Sequence, residues 1–216
     1  MKKYVLKIKE GVLFPMVDLV LFLKNIFTLS KVKIKTEVKK TWLGKVKKSY
    51  IRISGNNEVY FGKNAIIKES SVGIKGSNTK IIIEDECKLR GIDISINANN
   101  SIFKIGRGTT TEEVKIVMGD GNIIIGEDCM FSKEIEIRNL DSHTIVFQDG
   151  KMNKNKDIII GNHVWVGLKS LILKGSIIEE NSIVGAGSVV AGKFEKNSVI
   201  VGNPAKKVKE IQNWER

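Results

Sequence analysis

The 216 residues include two prolines, two cysteines and two histidines, and each scarcity removes a class of explanation. With Cys87 and Cys129 as the only thiols, neither a disulfide scaffold nor a cysteine-rich zinc module is available. His143 and His163 cannot by themselves supply a three-histidine metal site, so no metal is expected. Long apolar runs are also missing. The best stretch, Gly11–Leu23 (GVLFPMVDLVLFL), is about half the ~20 residues that cross a bilayer, and it carries Asp18 in its middle. Strand-like alternation (YVLKIKE) precedes it and no small-residue cleavage site follows, so the chain is expected to be cytoplasmic. Peripheral membrane contact through this segment stays open. At 42% hydrophobic and 28% charged residues the composition is that of a soluble globular protein with room for one generous domain.

What is abundant is basic charge, and it is concentrated. Residues 1–50 carry thirteen lysines against Glu10, Asp18 and Glu37, while the rest of the chain is close to neutral. This segment, with a strand, a short helix near Pro15–Leu29 and an alternating strand (KVKIKTEV), is expected to stand apart and to meet any anionic partner. Trp42 and Tyr50 lie nearby, but no nucleic-acid motif is present and no nucleic-acid partner is expected.

The strongest signal lies in the C-terminal half. From Ile160 the chain divides into sixes, IGNHVW, VGLKSL, ILKGSI, IEENSI, VGAGSV and VAGKFE, each opening on a branched aliphatic residue. Ser170, Ser176, Ser182 and Ser188 occupy the fifth slot. A bulky aliphatic residue with a small residue four later describes a coil with flat sides and tight corners. Three hexads close one triangular turn, and turns stack about 4.8 Å apart as parallel strands. The frame is present upstream from Ile125 (IGEDCM, FSKEIE, IRNLDS), and more faintly from Ile83. Cys87 and Cys129 fall at the fifth slot, which makes them core residues. Residues 51–203 are therefore read as a β-solenoid, ragged between Ile53 and Ile105. AKKVKEIQNWER, within residues 204–216, is read as a helix capping its open end.

The repeat breaks once. The frame from Ile125 asks for an aliphatic residue at position 143, and the chain has His143 in RNLDSHTIV. A patternless loop, residues 144–157, follows, and the repeat resumes at Ile160 one residue out of frame. A polar residue at the root of a loop that leaves the coil marks a place where function overrides folding rules.

IGNHVWVG, VGAGSVV and VGNPAKKV resemble the closing signature of the hexapeptide-repeat acyltransferases. CMFSKEIEIRNLDSHTIV and KDIIIGNHVWVG are similar to bacterial capsule O-acetyltransferases, particularly those acting on polysialic acid. The resemblance covers roughly residues 55–210. It implies a left-handed parallel β-helix, a homotrimer, and transfer of an acetyl group from acetyl-CoA to a sugar hydroxyl with His143 as general base and no acyl-enzyme. It further implies that Trp165 lies beside the donor thioester and matters for activity. Leu168, through its backbone, Ala186 and the stretch around Gly192 with Lys193 would line the donor groove between subunits. Lys206 and Lys209 would meet the 3′-phosphate. His163 occupies a position where the family tolerates several residues. The group that orients His143 is open between Asp141 and a backbone carbonyl.

Two other readings stand beside this one. The acceptor could be an amino sugar nucleotide or another small amine, since the repeat does not distinguish oxygen from nitrogen. Alternatively, a non-catalytic solenoid could bind an anionic partner through residues 1–50, although such a protein has no need of a histidine at the loop root.

Overall fold

The computed structural model describes residues 31–34 and 45–216; for residues 31–34 it describes the backbone alone. The expected helix near Pro15–Leu29 and the apolar stretch Gly11–Leu23 lie outside the described residues. The described chain winds as a parallel β-solenoid with three faces, here A, B and C, built from eight, nine and seven strands. The chain visits the faces in the order C, B, A and returns to C at each turn. Every neighbouring pair is parallel except the last on face B, where Ser198–Gly202 pairs antiparallel with Ala205–Glu210.

The hexad frame holds where it is strict. Ile160, Val166, Ile172, Ile178, Val184 and Val190 are all buried in the coil. The serines of the fifth slot are buried at the corners, where their hydroxyls bond to backbone: Ser170 Oγ donates to the Gly167 carbonyl at 2.8 Å, and Ser176 Oγ to the Leu173 carbonyl at 2.6 Å. A buried hydroxyl paired in this way avoids the cost of an orphaned polar group. At one corner the small-residue column runs Ala65, Cys87, Thr109, Cys129, Val164, Ser182 and Ser198, all buried. Glycine beside it is required by close approach: a Cβ on Gly126 would lie 2.5 Å from the Gly161 carbonyl oxygen of the next turn.

Upstream the turns are longer. Ile159 pairs with Ile177, 18 residues on, but Lys80 pairs with Ile102, 22 residues on. The early strands run to four or five residues, such as Asp93–Asn97 and Val114–Met118. Each inserts two or three side chains inward by simple alternation, so a six-residue frame loses step there.

The ladders also begin before residue 51. Lys31–Ile34 pairs with Tyr50–Ile53, and Lys45–Lys47 pairs with Ile66–Lys68. Part of the basic segment is thus coil, with Val46 in the core and Lys45, Lys47 and Lys48 exposed.

The C-terminal helix is corrected. Ala205–Glu210 is a strand, and Ile211–Arg216 forms no regular element. The unpaired edge of Ser198–Gly202 supplies a ladder of backbone donors and acceptors, and pairing with that edge outweighs helix propensity in AKKVKE. The remaining tail runs back along the C-to-B corner as a strap. Ile211 N–H donates to the Asn197 carbonyl at 2.9 Å, and Asn181 Nδ2 to the Gln212 carbonyl at 2.9 Å. Trp214 then reaches His163, and Arg216 reaches Asp128.

Candidate functional site

The coil is interrupted at the corner between strands Ile135–Arg138 of face A and Ile158–Ile160 of face C. All three faces show a 35-residue step there, as in the pairing of Ile123 with Ile158. The excess leaves as a hairpin. Phe147 N–H donates to the Lys151 carbonyl at 2.8 Å, Asn153 N–H to the Ile145 carbonyl at 3.1 Å, and Val146 pairs with Met152. At the neck, Lys156 N–H donates to the Asn139 carbonyl at 3.2 Å. Buried Asn139 is fixed in turn to the preceding coil, accepting from Gly119 N–H at 2.9 Å.

His143 stands on the outgoing arm of this hairpin and is exposed. It does not fill an inward slot with a polar group. The frame counted through the loop gave it that place, whereas the coil closes with Ile158, which is fully buried. The backbone around His143 is pinned by one side chain. Asn153 Nδ2 donates to Asp141 Oδ2 at 2.6 Å and to the His143 carbonyl at 3.0 Å, while Asn153 Oδ1 accepts from Ile145 N–H at 2.7 Å. Lys174, from the next coil, pairs with Asp141 and donates to the Lys154 carbonyl at 3.2 Å. The hydrogen bonds from Lys174 and then Asn153 hold the Asp141 carboxyl below the usual carboxylate range.

Trp165 opens a strand of face B and points outward, paired with Met130 before it and Ile183 after it. Its indole N–H is buried without a partner among the described residues, and Trp214 leans over it at 6.2 Å. Leu168 and Ala186 meet at the B-to-A corner. The Leu168 carbonyl accepts from Gly187 N–H at 2.7 Å, a Cβ on Gly167 would lie 2.7 Å from Ala186 N, and the Leu168 side chain is 42% exposed. Gly192 and Lys193 lie instead at the A-to-C corner, the edge from which the His143 hairpin leaves; the Gly192 carbonyl accepts from Ile177 N–H at 2.8 Å. Lys209 continues the outward column of Trp165, Ile183 and Val199, about 14 Å from Trp165 at ordinary strand spacing. Lys206 sits opposite Val201 on the same pair of strands. Lys207 between them is held by Glu210 at 2.6 Å. The expected site residues therefore divide between edges of the prism: His143, Gly192 and Lys193 on one, Trp165, Leu168 and Ala186 on face B and the next.

His163 is structural in this arrangement. Its ring stacks on Trp214 with centroids 4.0 Å apart, Nδ1 lies 2.7 Å from Asp128 Oδ2, and Nε2 lies 3.0 Å from the Trp214 carbonyl oxygen. Spacing alone could not show this, because Asp128 and Trp214 are 35 and 51 residues away. Asn153 and Lys174 were equally invisible in the sequence, the one being a polar residue in a patternless loop and the other an outward lysine of the hexad ILKGSI.

Both cysteines are inward, as their slot implied. Burial pushes the Cys87 thiol up to about 12 and the Cys129 thiol up to about 11. Below about pH 9 both the folded and the unfolded chain keep these protons. Above it the unfolded chain releases them and the native state does not, so stability falls as the pH rises from about 9 towards 11. Cys87→Ala with Cys129→Ala should flatten that alkaline slope in denaturant titrations run from pH 8 to 11. The native thiols should resist iodoacetamide at pH 8; rapid modification without unfolding would contradict their placement.

No family model matches the chain. It is 42% identical over 126 residues to a polysialic acid O-acetyltransferase of Neisseria meningitidis, covering 57% of this chain and 58% of that protein. It is 31% identical over 137 residues to a polysialic acid O-acetyltransferase of Escherichia coli O1:K1, covering 62% of this chain and 44% of that one. The matches thus span about half the length of these curated relatives. The solved polysialic acid O-acetyltransferase OatWY superposes with a TM-score of 0.77 at 35% identity, over 87% of this chain and 90% of the other. The chain belongs to the hexapeptide-repeat acyltransferases. The solenoid is accordingly the left-handed β-helix of that family.

Proposed function

We propose that the protein transfers an acetyl group from acetyl-CoA to a hydroxyl of a bacterial surface polysaccharide or its sugar precursor, with His143 as general base. The observation that carries this reading is His143 itself: an exposed histidine lifted out of an otherwise regular coil, in a chain similar to O-acetyltransferases over most of its length. A sugar hydroxyl is a poor nucleophile until a base accepts its proton, and imidazole titrates near neutral pH. As the hydroxyl proton passes to a His143 ring nitrogen, the oxygen bonds to the thioester carbonyl carbon. The carbon–sulfur bond then breaks, and the departing CoA sulfur takes up the proton. No acyl-enzyme is required.

The donor would lie along face B and its corner. Trp165 stands by the thioester, Leu168 and Ala186 line the arm, and Lys206 and Lys209 face the phosphates, with Gly192 and Lys193 contributed from the other edge. The separation of these edges supports a homotrimer, in which one protomer's hairpin meets its partner's face B. An outward run on face C, Ile124, Ile159 and Ile177, supplies apolar surface for such an assembly. The cytoplasm, where acetyl-CoA is available, is the proposed compartment. Thiol release from acetyl-CoA, measured against acidic and neutral polysaccharides and their nucleotide-sugar precursors, tests the activity and names the acceptor. Release with none of them would refute the reading.

An acidic polymer is the favoured acceptor. Lys47, Lys68 and Arg90 follow one another across face B, with Lys45 and Lys88 on either side of Ile66 beside them, on the face that carries Trp165 further along. Reversing Lys45, Lys47 and Lys48 to glutamate should raise KM for polysialic acid several-fold and leave kcat for a short oligosaccharide unchanged. The parent's preference for polymer should weaken between 50 and 200 mM salt, as the Debye length falls towards ~7 Å. An unchanged polymer KM at both salts would mean that these lysines are only solvated.

A further inference from the structure

The His143 ring projects from an exposed hairpin, and a general base on such a support is effective only if its position is fixed. The hairpin has no core of its own: Ile145, Val146, Phe147 and Met152 are all about half or more exposed. What fixes the arm is polar. A single amide, that of Asn153, binds three alternate residues of it, Asp141, His143 and Ile145, and so closes a tight turn around His143 in which Ser142 takes a φ of +66°. Asn153 uses its donor and acceptor ends in the only sense that serves all three: the NH₂ group towards a carboxylate and a carbonyl, the oxygen towards an N–H. The turn is then tied to the rigid coil by Lys174, whose ammonium grips Asp141 on the outgoing arm and the Lys154 carbonyl on the returning one. Lys174 is only 20% exposed, so this pair is better shielded than an ordinary surface ion pair.

We infer that Asn153 is the positioning residue for His143, and that Asp141 and Lys174 hold the Asn153 amide against the coil. Asp141 meets Lys174 and Asn153 through Oδ2 and makes no hydrogen bond to the imidazole among the described residues. The catalytic histidine is aimed through its backbone, by a side chain ten residues later and a lysine from the next turn of the helix. This inference rests on His143 being the base, and its test separates the two.

Asn153→Ala, Asn153→Asp and Lys174→Met should be assayed by thiol release with acetyl-CoA and polysialic acid, beside His143→Ala and the double variant His143→Ala/Asn153→Ala. Displacing a reacting group by about 1 Å can cost up to ~10²-fold, so each single variant should lower kcat at least tenfold. KM for acetyl-CoA should stay within about twofold and the thermal midpoint should barely move, since the hairpin lies outside the core. Asn153→Asp should be no better than Asn153→Ala, because a carboxylate faces Asp141 and the His143 carbonyl with acceptors only; a space-filling role would let aspartate rescue. Lys174→Arg should retain most of the rate that Lys174→Met loses. Adding Asn153→Ala to His143→Ala should cost nothing more, because the residue acts through the histidine. If His143→Ala is inactive while Asn153→Ala and Lys174→Met keep more than half of kcat, the positioning role is overturned and the general base stands. If His143→Ala keeps the parent rate, the base assignment fails and the positioning role fails with it.

Discussion

His143→Ala is expected to lose between about 10² and 10⁴ of the transfer rate, the range in which general-base catalysis contributes. The fold should survive, because the side chain is exposed on a hairpin and fills no part of the core. The loss should appear in kcat. Trp165, Leu168 and Ala186, the residues proposed to hold the donor, lie on face B and the B-to-A corner, away from the hairpin within one protomer, so KM for acetyl-CoA should be nearly unaltered. Solution conditions offer a check on the assignment. If the imidazole accepts the hydroxyl proton, the parent's kcat should rise with pH as the base loses its own proton, and the residual rate of the alanine variant should lack that rise. A variant that kept more than about a tenth of the parent rate would remove His143 from the chemistry.

How much of this could be read from residues alone follows from where the physics is local. Between Ile160 and Val190 each strand is two or three residues long and each turn takes 18, so every inward slot repeats at six and the frame declares itself. Between Glu58 and Met118 the strands lengthen and the turn takes up to 22 residues. The inward residues still alternate, but against no fixed period, and the same architecture reads as ragged. The break at His143 was legible as a lapse in the frame. Its construction was not, because the contacts that build it join Asp141 to Asn153 and to Lys174, residues brought together only by the return of the loop and by the next coil. The C-terminal segment was misread for a related reason. AKKVKEIQNWER has the composition of a surface helix, yet its partner is an unpaired strand edge that exists only once the coil has formed.

Trp214→Ala should destabilise the protein by about 3 kcal/mol, the lower end of the range for truncating a buried tryptophan, which is roughly 6–12 °C in Tm for a domain of this size. Trp214 is 6% exposed although its segment forms no helix or strand. It is held on every side: its ring stacks on His163, its Nε1–H donates to the His163 carbonyl at 2.9 Å, and it leans on Trp165. Arg216 beyond it adds the pair with Asp128 at 3.0 Å and donates to the Cys129 carbonyl at 3.0 Å. The strap thus joins turns that the coil itself connects only through nearest neighbours. In a solenoid, where stability is close to a sum of neighbour terms, a contact spanning several turns should also sharpen the unfolding transition. Trp214→Phe separates the contributions. It keeps the stack but loses the hydrogen bond to His163, and should cost about 1 kcal/mol. His163→Ala removes the stack and the Asp128 contact together, so in combination with Trp214→Ala it should cost clearly less than the two single effects added. Chemical denaturation of the four variants measures all of this. Additive losses, or a Trp214→Ala protein within 1 kcal/mol of the parent, would show that the tail does not brace the coil.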